Sequence, residues 1–260
     1  MAMITLDDYA SKYRHIKMER RDGILQLTFH TDGGPLRWGG VPHGEFGPAF
    51  TDIGHDHENR VVIMTGTGTE FSGPAGSPST FPAADAESWD QVLRQGILLT
   101  TSLLDINAVV ISCVNGPAIR HPEIPLLADV VLAAPEASFQ DSAHFANRMT
   151  PGDGVNFVLP LLLGFNRARY LMLTGQELTA DQALDLGLVN EIHPHAGLLP
   201  RAWELAEKFV VQNPLVLRYT RMLLTQELRK RAVDLLGYGL ALEGLAVIHE
   251  TALRANAGSE

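Results

Sequence analysis

Three short runs, Val61-Val62-Ile63-Met64, Val109 to Val114 and Asp129-Val130-Val131-Leu132-Ala133-Ala134, are rich in β-branched and aliphatic residues and scarcely interrupted by polar ones. Runs of this length read as strands buried on both faces, the pattern of a parallel sheet. A stretch with apolar residues at helical spacing, roughly Glu87 to Leu104, separates the first two, and a helical turn near Ile124 precedes the third. Strands that alternate with helices require an α/β fold. Ile24 to His30 alternates like a half-buried strand, and Arg21-Asp22-Gly23 predicts a hairpin turn back to Ile16-Lys17-Met18-Glu19. Ser138-Phe139-Gln140 adds a strand. Thr179 and Gln182 are spaced as a capping box for a helix to Leu186 that stops at Gly187, before a strand over Leu188 to Ile192. Beyond about residue 196 the pattern is helical: Leu198 to Gln212, then a long helix with Asn213 as cap and Pro214 as its first residue. The expected organisation is an α/β core over residues 1–195 and a helical segment over 196–260.

A chain of 260 residues, 45% hydrophobic, can bury a full core. Its formal net charge of −10 opposes a nucleic-acid partner, because phosphate contacts need a surplus of Lys and Arg on one face. Met1 to Arg14 lacks the unbroken apolar run of a secretory signal, and runs such as Leu159 to Leu163 fall far short of the roughly 20 residues that span a bilayer. Neither export nor membrane insertion is expected, and a cytoplasmic location fits. The single cysteine, Cys113, lies inside an apolar run and should pack as a small hydrophobe.

His121, which follows Asn115-Gly116-Pro117, then His144, and Asp153 within Pro151-Gly152-Asp153-Gly154 are the first candidates for chemistry. Taken singly, a histidine is by default a packed side chain, Asp153 a turn former and Trp38, beside Gly39-Gly40, a loop anchor. Glu243, among apolar residues of the last helix, is by default part of a solvated face. His55-Asp56-His57-Glu58 has the composition of a ligand cluster but no zinc spacing, and is expected to be a solvated turn before a strand. Gly66-Thr67-Gly68 lacks the third glycine of a dinucleotide loop and the Lys-Ser/Thr of a phosphate loop. No Gly-x-Ser-x-Gly elbow points to a serine nucleophile.

Several ordered motifs give these residues a context. Val62-Ile63-Met64-Thr65-Gly66-Thr67-Gly68-Thr69-Glu70-Phe71-Ser72-Gly73 resembles the stretch of the crotonase (enoyl-CoA hydratase/isomerase) superfamily that leads into its first oxyanion-hole loop. Val114-Asn115-Gly116-Pro117-Ala118 resembles the second such loop. Pro151-Gly152-Asp153-Gly154, Leu173-Thr174-Gly175-Gln176, Ala183 and Gly187-Leu188-Val189-Asn190 resemble its later signatures. The resemblance covers roughly residues 15 to 260 and implies a crotonase-like spiral of ββα units, a C-terminal helical segment used for trimerisation, and stabilised enolates or oxyanions. By position, Ala75 and His121 would supply the two peptide N–H groups of the hole.

Departures from that pattern narrow the activity. Ala118-Ile119-Arg120-His121-Pro122-Glu123-Ile124-Pro125 stands where the family carries glycines, His144 where many members carry a catalytic glutamate, and Asp153 where the turn holds a small residue. Gly73-Pro74-Ala75-Gly76 of the first loop also lacks the acidic residue that usually follows the oxyanion alanine, and with both glutamates missing water cannot be delivered to an alkene in the usual way. The sequence from His121 to Gly154 is similar to the β-diketone hydrolases of the superfamily, 6-oxocamphor hydrolase among them. That similarity implies retro-Claisen cleavage of a nonpolar, cyclic or bicyclic 1,3-diketone to a keto acid. A His144–Asp153 dyad would activate water, with neutral His144 as base and Asp153 fixing its tautomer. His121 and Trp38 would sit at the carbonyl oxygen, and Glu243 would return a proton to carbon. Neither metal nor organic cofactor is implied; the assembly would be a homotrimer or a dimer of trimers. One alternative is a coenzyme A thioester isomerase or thioesterase, whose phosphates Arg218, Arg221, Arg229, Lys230 and Arg231 could hold. The other is a non-catalytic oligomer that binds an apolar ligand.

Overall fold

The computed structural model describes residues 4–73 and 85–257. A one-turn helix α1 (Leu6–Tyr9) leads into the hairpin β1 (Ile16–Arg21) and β2 (Ile24–Phe29), followed by α2 (Gly40–His55) and β3 (Val61–Gly66). Then come α3 (Ala86–Asp105), β4 (Val109–Val114), α4 (Glu123–Leu126), β5 (Val130–Ala133), β6 (Ser138–Phe139), a 3₁₀ turn at Phe145–Asn147, α5 (Val155–Leu163) and α6 (Phe165–Thr174). The chain closes with β7 (Leu178–Thr179), α7 (Ala180–Asp185), β8 (Glu191–Ile192), α8 (His195–Val210), α9 (Pro214–Leu224) and α10 (Gln226–Ala257). The main sheet has the order β1-β2-β3-β4-β5-β8, antiparallel between β1 and β2 and parallel thereafter; β6 and β7 form a separate antiparallel pair. This is the expected α/β crotonase-type architecture.

Period-two alternation divides each central strand between two cores. Val62, Met64, Val110 and Val114 join the larger one, built with α2, α3, α5 and α10, whereas Val61, Ile63, Ile111 and Cys113 join the smaller one beneath α8. Cys113 is fully buried, and burial holds its thiol well above the ordinary range. Asp22 and Gly23 both take positive φ, 51° and 80°, as a tight hairpin turn requires. Thr179 forms its capping box with Gln182, and the Asn213 side chain accepts from the Leu215 N–H.

Three expectations are corrected. The last strand is only Glu191–Ile192, because the Leu188 and Val189 N–H groups are taken by the Ala183 carbonyl and cannot join the sheet. The turn at His55-Asp56-His57-Glu58 exposes His55, His57 and Glu58 as expected, but Asp56 is 2% exposed, accepting from the Tyr9 hydroxyl at 2.9 Å and from Arg20 at 2.5 Å. Arg221 is not available to a phosphate. It is 1% exposed, donates to the carbonyls of Leu103, Leu104 and Ile106 at the end of α3, and pairs with Asp129 at 2.7 Å. Separately from these corrections, α10 is long and apolar enough to cross a bilayer by length and composition alone, with mean hydropathy 1.4 over its most apolar window. In this structure it packs on α3 and α5 instead, and it carries Glu243 into the interior.

Candidate active site

The loop after β4 is fixed by its Asn-Gly pair. Asn115 accepts from the Gly66 N–H at 2.9 Å and donates to the carbonyls of Gly68 and Glu70. A methyl group on Gly116 would lie 1.7 Å from the Thr69 carbonyl oxygen, so only glycine permits this approach. Ala118 then bridges Ser72 on one side and Phe139 on the other, and the Arg120 N–H reaches the Ser72 carbonyl. This three-stranded packing delivers His121 into a cavity with a φ of 51°, a left-handed backbone that suits the glycine of the family pattern better than a histidine. Ala75 lies outside the described residues.

The next two candidates arrive from neighbouring segments. Past β6, the Ser142 N–H bonds the Ile119 carbonyl, and His144 opens the 3₁₀ turn. Asp153 precedes α5 in a turn pressed against α10: a methyl group on Gly152 would lie 2.3 Å from the Gly239 carbonyl oxygen. One helical turn beyond Gly239, α10 presents Glu243.

His121, His144, Asp153 and Glu243 thus converge, each less than 9% exposed, around a cavity of about 290 Å³. His144 Nδ1 lies 2.6 Å from Asp141 Oδ1, while its Nε2 is 3.4 Å from both Asp153 Oδ2 and Glu243 Oε1. His121 Nδ1 lies 2.7 Å from Glu123 Oε1 and 3.1 Å from Asp153 Oδ2. Asp153 therefore faces both imidazoles. The Trp38 ring packs on His121 at 4.4 Å, and its indole N–H has no partner among the described residues. His43 also lines the cavity, 5.6 Å from the His121 ring and 3.3 Å from Gln95 Oε1.

Two carboxylates were not assigned from sequence, Asp141 and Glu123. Asp141 meets Nδ1 of His144 while Asp153 stands on the Nε2 side, so the acid in hydrogen-bond contact with His144 is three residues away in the chain rather than nine. The available signals were local: an acid at i−3 of His144 and another at i+2 of His121.

Electrostatics follow the same division. Burial opposes a charged His144, but Asp153 and Asp141 outweigh it, so its pKa is raised well above the ordinary 6.5. His121 is raised likewise, with burial overcome by Glu123 and Asp153. Burial pushes Asp153 up to about 7 against the pull of His144, with Glu123 adding to the rise. Burial, with His121 adding to it, holds His43 down at about 3, as a neutral ring. Among the described residues His121, Glu123 and Asp153 have ligand atoms close enough, within 4.8 Å of one another, to hold a cation. Their imidazole–carboxylate contacts are equally those of a network that shares protons.

Oxygens of Glu123, Asp141, Asp153 and Glu243 and the Trp38 nitrogen are buried without a hydrogen-bond partner among the described residues. Such groups cost free energy unless something enters to satisfy them. An arrangement of this kind can hold a polar reactant between an oriented imidazole and a second set of donors.

Comparisons with known proteins agree with the fold. Residues 43–239 match the enoyl-CoA hydratase/isomerase family. A probable enoyl-CoA hydratase of Mycobacterium tuberculosis is 32% identical over 62% of this chain, a stretch that spans only 59% of the relative. The carnitinyl-CoA dehydratase of Citrobacter koseri is 32% identical, with 66% of each protein covered. Among solved structures, a β-diketone hydrolase from the cyanobacterium Anabaena, bound to (S)-3-oxocyclohexyl acetic acid, superimposes with a TM-score of 0.89 at 42% identity, covering 95% of this chain and 98% of that one. An enoyl-CoA hydratase/isomerase from Mycobacterium paratuberculosis shares the fold, with a TM-score of 0.81 at 23% identity over 92% and 95% of the two chains. This chain belongs to the enoyl-CoA hydratase/isomerase, or crotonase, family.

Proposed function

We propose that this protein is a hydrolase that cleaves a C–C bond of a nonpolar cyclic 1,3-diketone by a retro-Claisen reaction, giving a keto acid. The observation that carries the reading is His144, whose Nδ1 is occupied by Asp141 while its Nε2 opens towards Asp153 and Glu243 in the cavity. A water bonded to both Nε2 and Asp153 Oδ2 at about 2.8 Å closes a triangle with their 3.4 Å separation. The likeness to the Anabaena β-diketone hydrolase over nearly the whole chain supports the same reading.

In the proposed reaction, water gives a proton to His144 Nε2 as its oxygen attacks one carbonyl carbon, and Asp141 holds the imidazolium that forms. The raised pKa makes His144 a stronger base once neutral, so turnover is favoured above the ordinary imidazole range. Oxyanion charge is taken up by His121, the Trp38 indole N–H and the loop peptide groups. Collapse of the tetrahedral adduct breaks the bond to the carbon between the carbonyls, and the electron pair moves into the second ketone as an enolate. That carbon then regains a proton, with Glu243 placed to deliver it. Exposed apolar side chains on α9 and α10, Leu223, Leu224, Val233 and Leu245 among them, suit the expected homotrimer or dimer of trimers.

Ultraviolet absorbance tests the reading. Loss of the enol band of a cyclic 1,3-diketone on adding enzyme is expected, with no turnover of an enoyl-CoA. Thioester turnover with an unchanged diketone would instead favour the coenzyme A alternative, which the names of the Mycobacterium and Citrobacter relatives support.

A further inference from the structure

Two tryptophans line the cavity, and their indole nitrogens differ in one respect. Trp38 Nε1 is buried without a partner among the described residues, whereas Trp89 Nε1 donates to the Leu240 carbonyl at 2.9 Å. Trp89 is therefore no donor to a ligand. It stands in the first turn of α3, where Asp85 and Ser88 form a reciprocal cap that fixes its backbone. Its ring lies against α10 so closely that a methyl group on Gly244 would come within 2.1 Å of the indole nitrogen. Only 6% of Trp89 is exposed, and Val92 of α3 with Leu240 and Val247 of α10 continue the apolar lining beside it.

We propose that Trp89, bonded to Leu240 and seated on Gly244, is a specificity-determining wall that limits the bulk of the alicyclic group accepted beside the reacting diketone. The inference rests on the proposed reaction. His121, His144, Asp153, Glu243 and Trp38 meet the reacting diketone; although Arg120 and Glu250 are among further polar residues on the lining, the substrate's hydrocarbon is best matched by its apolar side chains, of which Trp89 is the largest beside Trp38. A ring held at its nitrogen and packed on a glycine cannot yield without breaking both contacts, which makes it a fixed boundary rather than an adaptable one.

The test compares kcat/KM for a monocyclic and a bulkier bicyclic 1,3-diketone in the wild type, Trp89→Leu and Trp89→Phe, with folding checked by circular dichroism. The bicyclic-to-monocyclic ratio should rise about tenfold or more in Trp89→Leu, chiefly through a lower KM for the bicyclic compound, and by less in Trp89→Phe. An unchanged ratio in a folded variant, even with lowered thermal stability, would reduce Trp89 to a packing residue and overturn the proposal. If the wild type cleaves neither diketone, the reaction assignment fails, and the wall is judged by ligand-induced thermal shift. Preferential gain of the bicyclic shift in Trp89→Leu sustains it; equal shifts, or none, overturn it.

Discussion

Two buried polar clusters in this molecule contain charged side chains at similar depth and differ in how fully they are satisfied. Around Arg221, three carbonyls and Asp129 accept from the guanidinium, and Asp129 also accepts from the Val110 N–H, so α9, the end of α3 and β4 are tied together. Around His144, four carboxylates and two histidines crowd together, yet one oxygen of each acid remains without a partner among the described residues. A closed cluster stabilises the fold, while an open one holds unmet hydrogen-bonding capacity where a ligand can enter. This difference separates scaffold from site more reliably than charge or burial alone.

The comparison is tested first at its extreme. His144→Ala should lower kcat/KM on a cyclic 1,3-diketone by about 1,000-fold, because the general base is lost, while leaving the fold intact. Asp141→Asn should cost about 100-fold or more in kcat by releasing the His144 tautomer, again with the fold retained. Near-normal rates in both variants would contradict the division. In the closed cluster the outcomes reverse: Arg221→Ala should lower unfolding free energy by about 3–5 kcal/mol, since a buried pair loses one partner, with kcat of the folded fraction preserved. Denaturant titration alongside steady-state kinetics checks that contrast.

Titration sharpens the contrast further. Asp153 moves from 3.8 to about 7, so between those values the folded state keeps a proton that the unfolded chain releases, and stability falls as pH rises. His144 acts in the same direction: its raised pKa contributes stability below 6.5 that is lost as pH climbs through the folded value. Asp153→Asn should therefore flatten the dependence of melting temperature on pH between about 4 and 7. It should also move the ascending limb of kcat/KM to lower pH, because the largest influence raising His144 is removed. Among variants of the open cluster, Trp38→Phe should have the smallest effect, about tenfold in kcat/KM, for the loss of one donor to the carbonyl oxygen.

Much of this was legible in the chain. The β-branched runs became parallel strands because nothing but burial on both faces accommodates them, and Thr179 and Asn213 cap the helices that their spacing predicted. The α2 helix was hidden by its own packing. It contains Gly40, Pro42, Gly44, Gly47 and Pro48, a poor helix by propensity, yet a methyl group on Gly47 would lie 2.9 Å from the Leu98 side chain, so close approach to α3 demands the small residue. Arg221 was misread because a count of basic residues ignores direction. Leu217, Arg221 and Thr225 recur every fourth residue on one buried face of α9 and its cap. At the site, His121, His144, Asp153, Trp38 and Glu243 were all singled out, and they do converge. The roles of Asp141 and Glu123 were not legible, because which nitrogen each carboxylate meets is set by side-chain geometry that residue spacing does not encode.

The central claim is that an activated water, directed by His144, breaks a carbon–carbon bond. Mass spectrometry of the product formed from a cyclic 1,3-diketone in water labelled with heavy oxygen tests it directly. The account predicts a ring-opened keto acid carrying one labelled oxygen in its carboxylate, formed by the wild type and nearly absent with His144→Ala. Recovery of intact diketone from the wild type, or equal labelled product from both proteins, would contradict it.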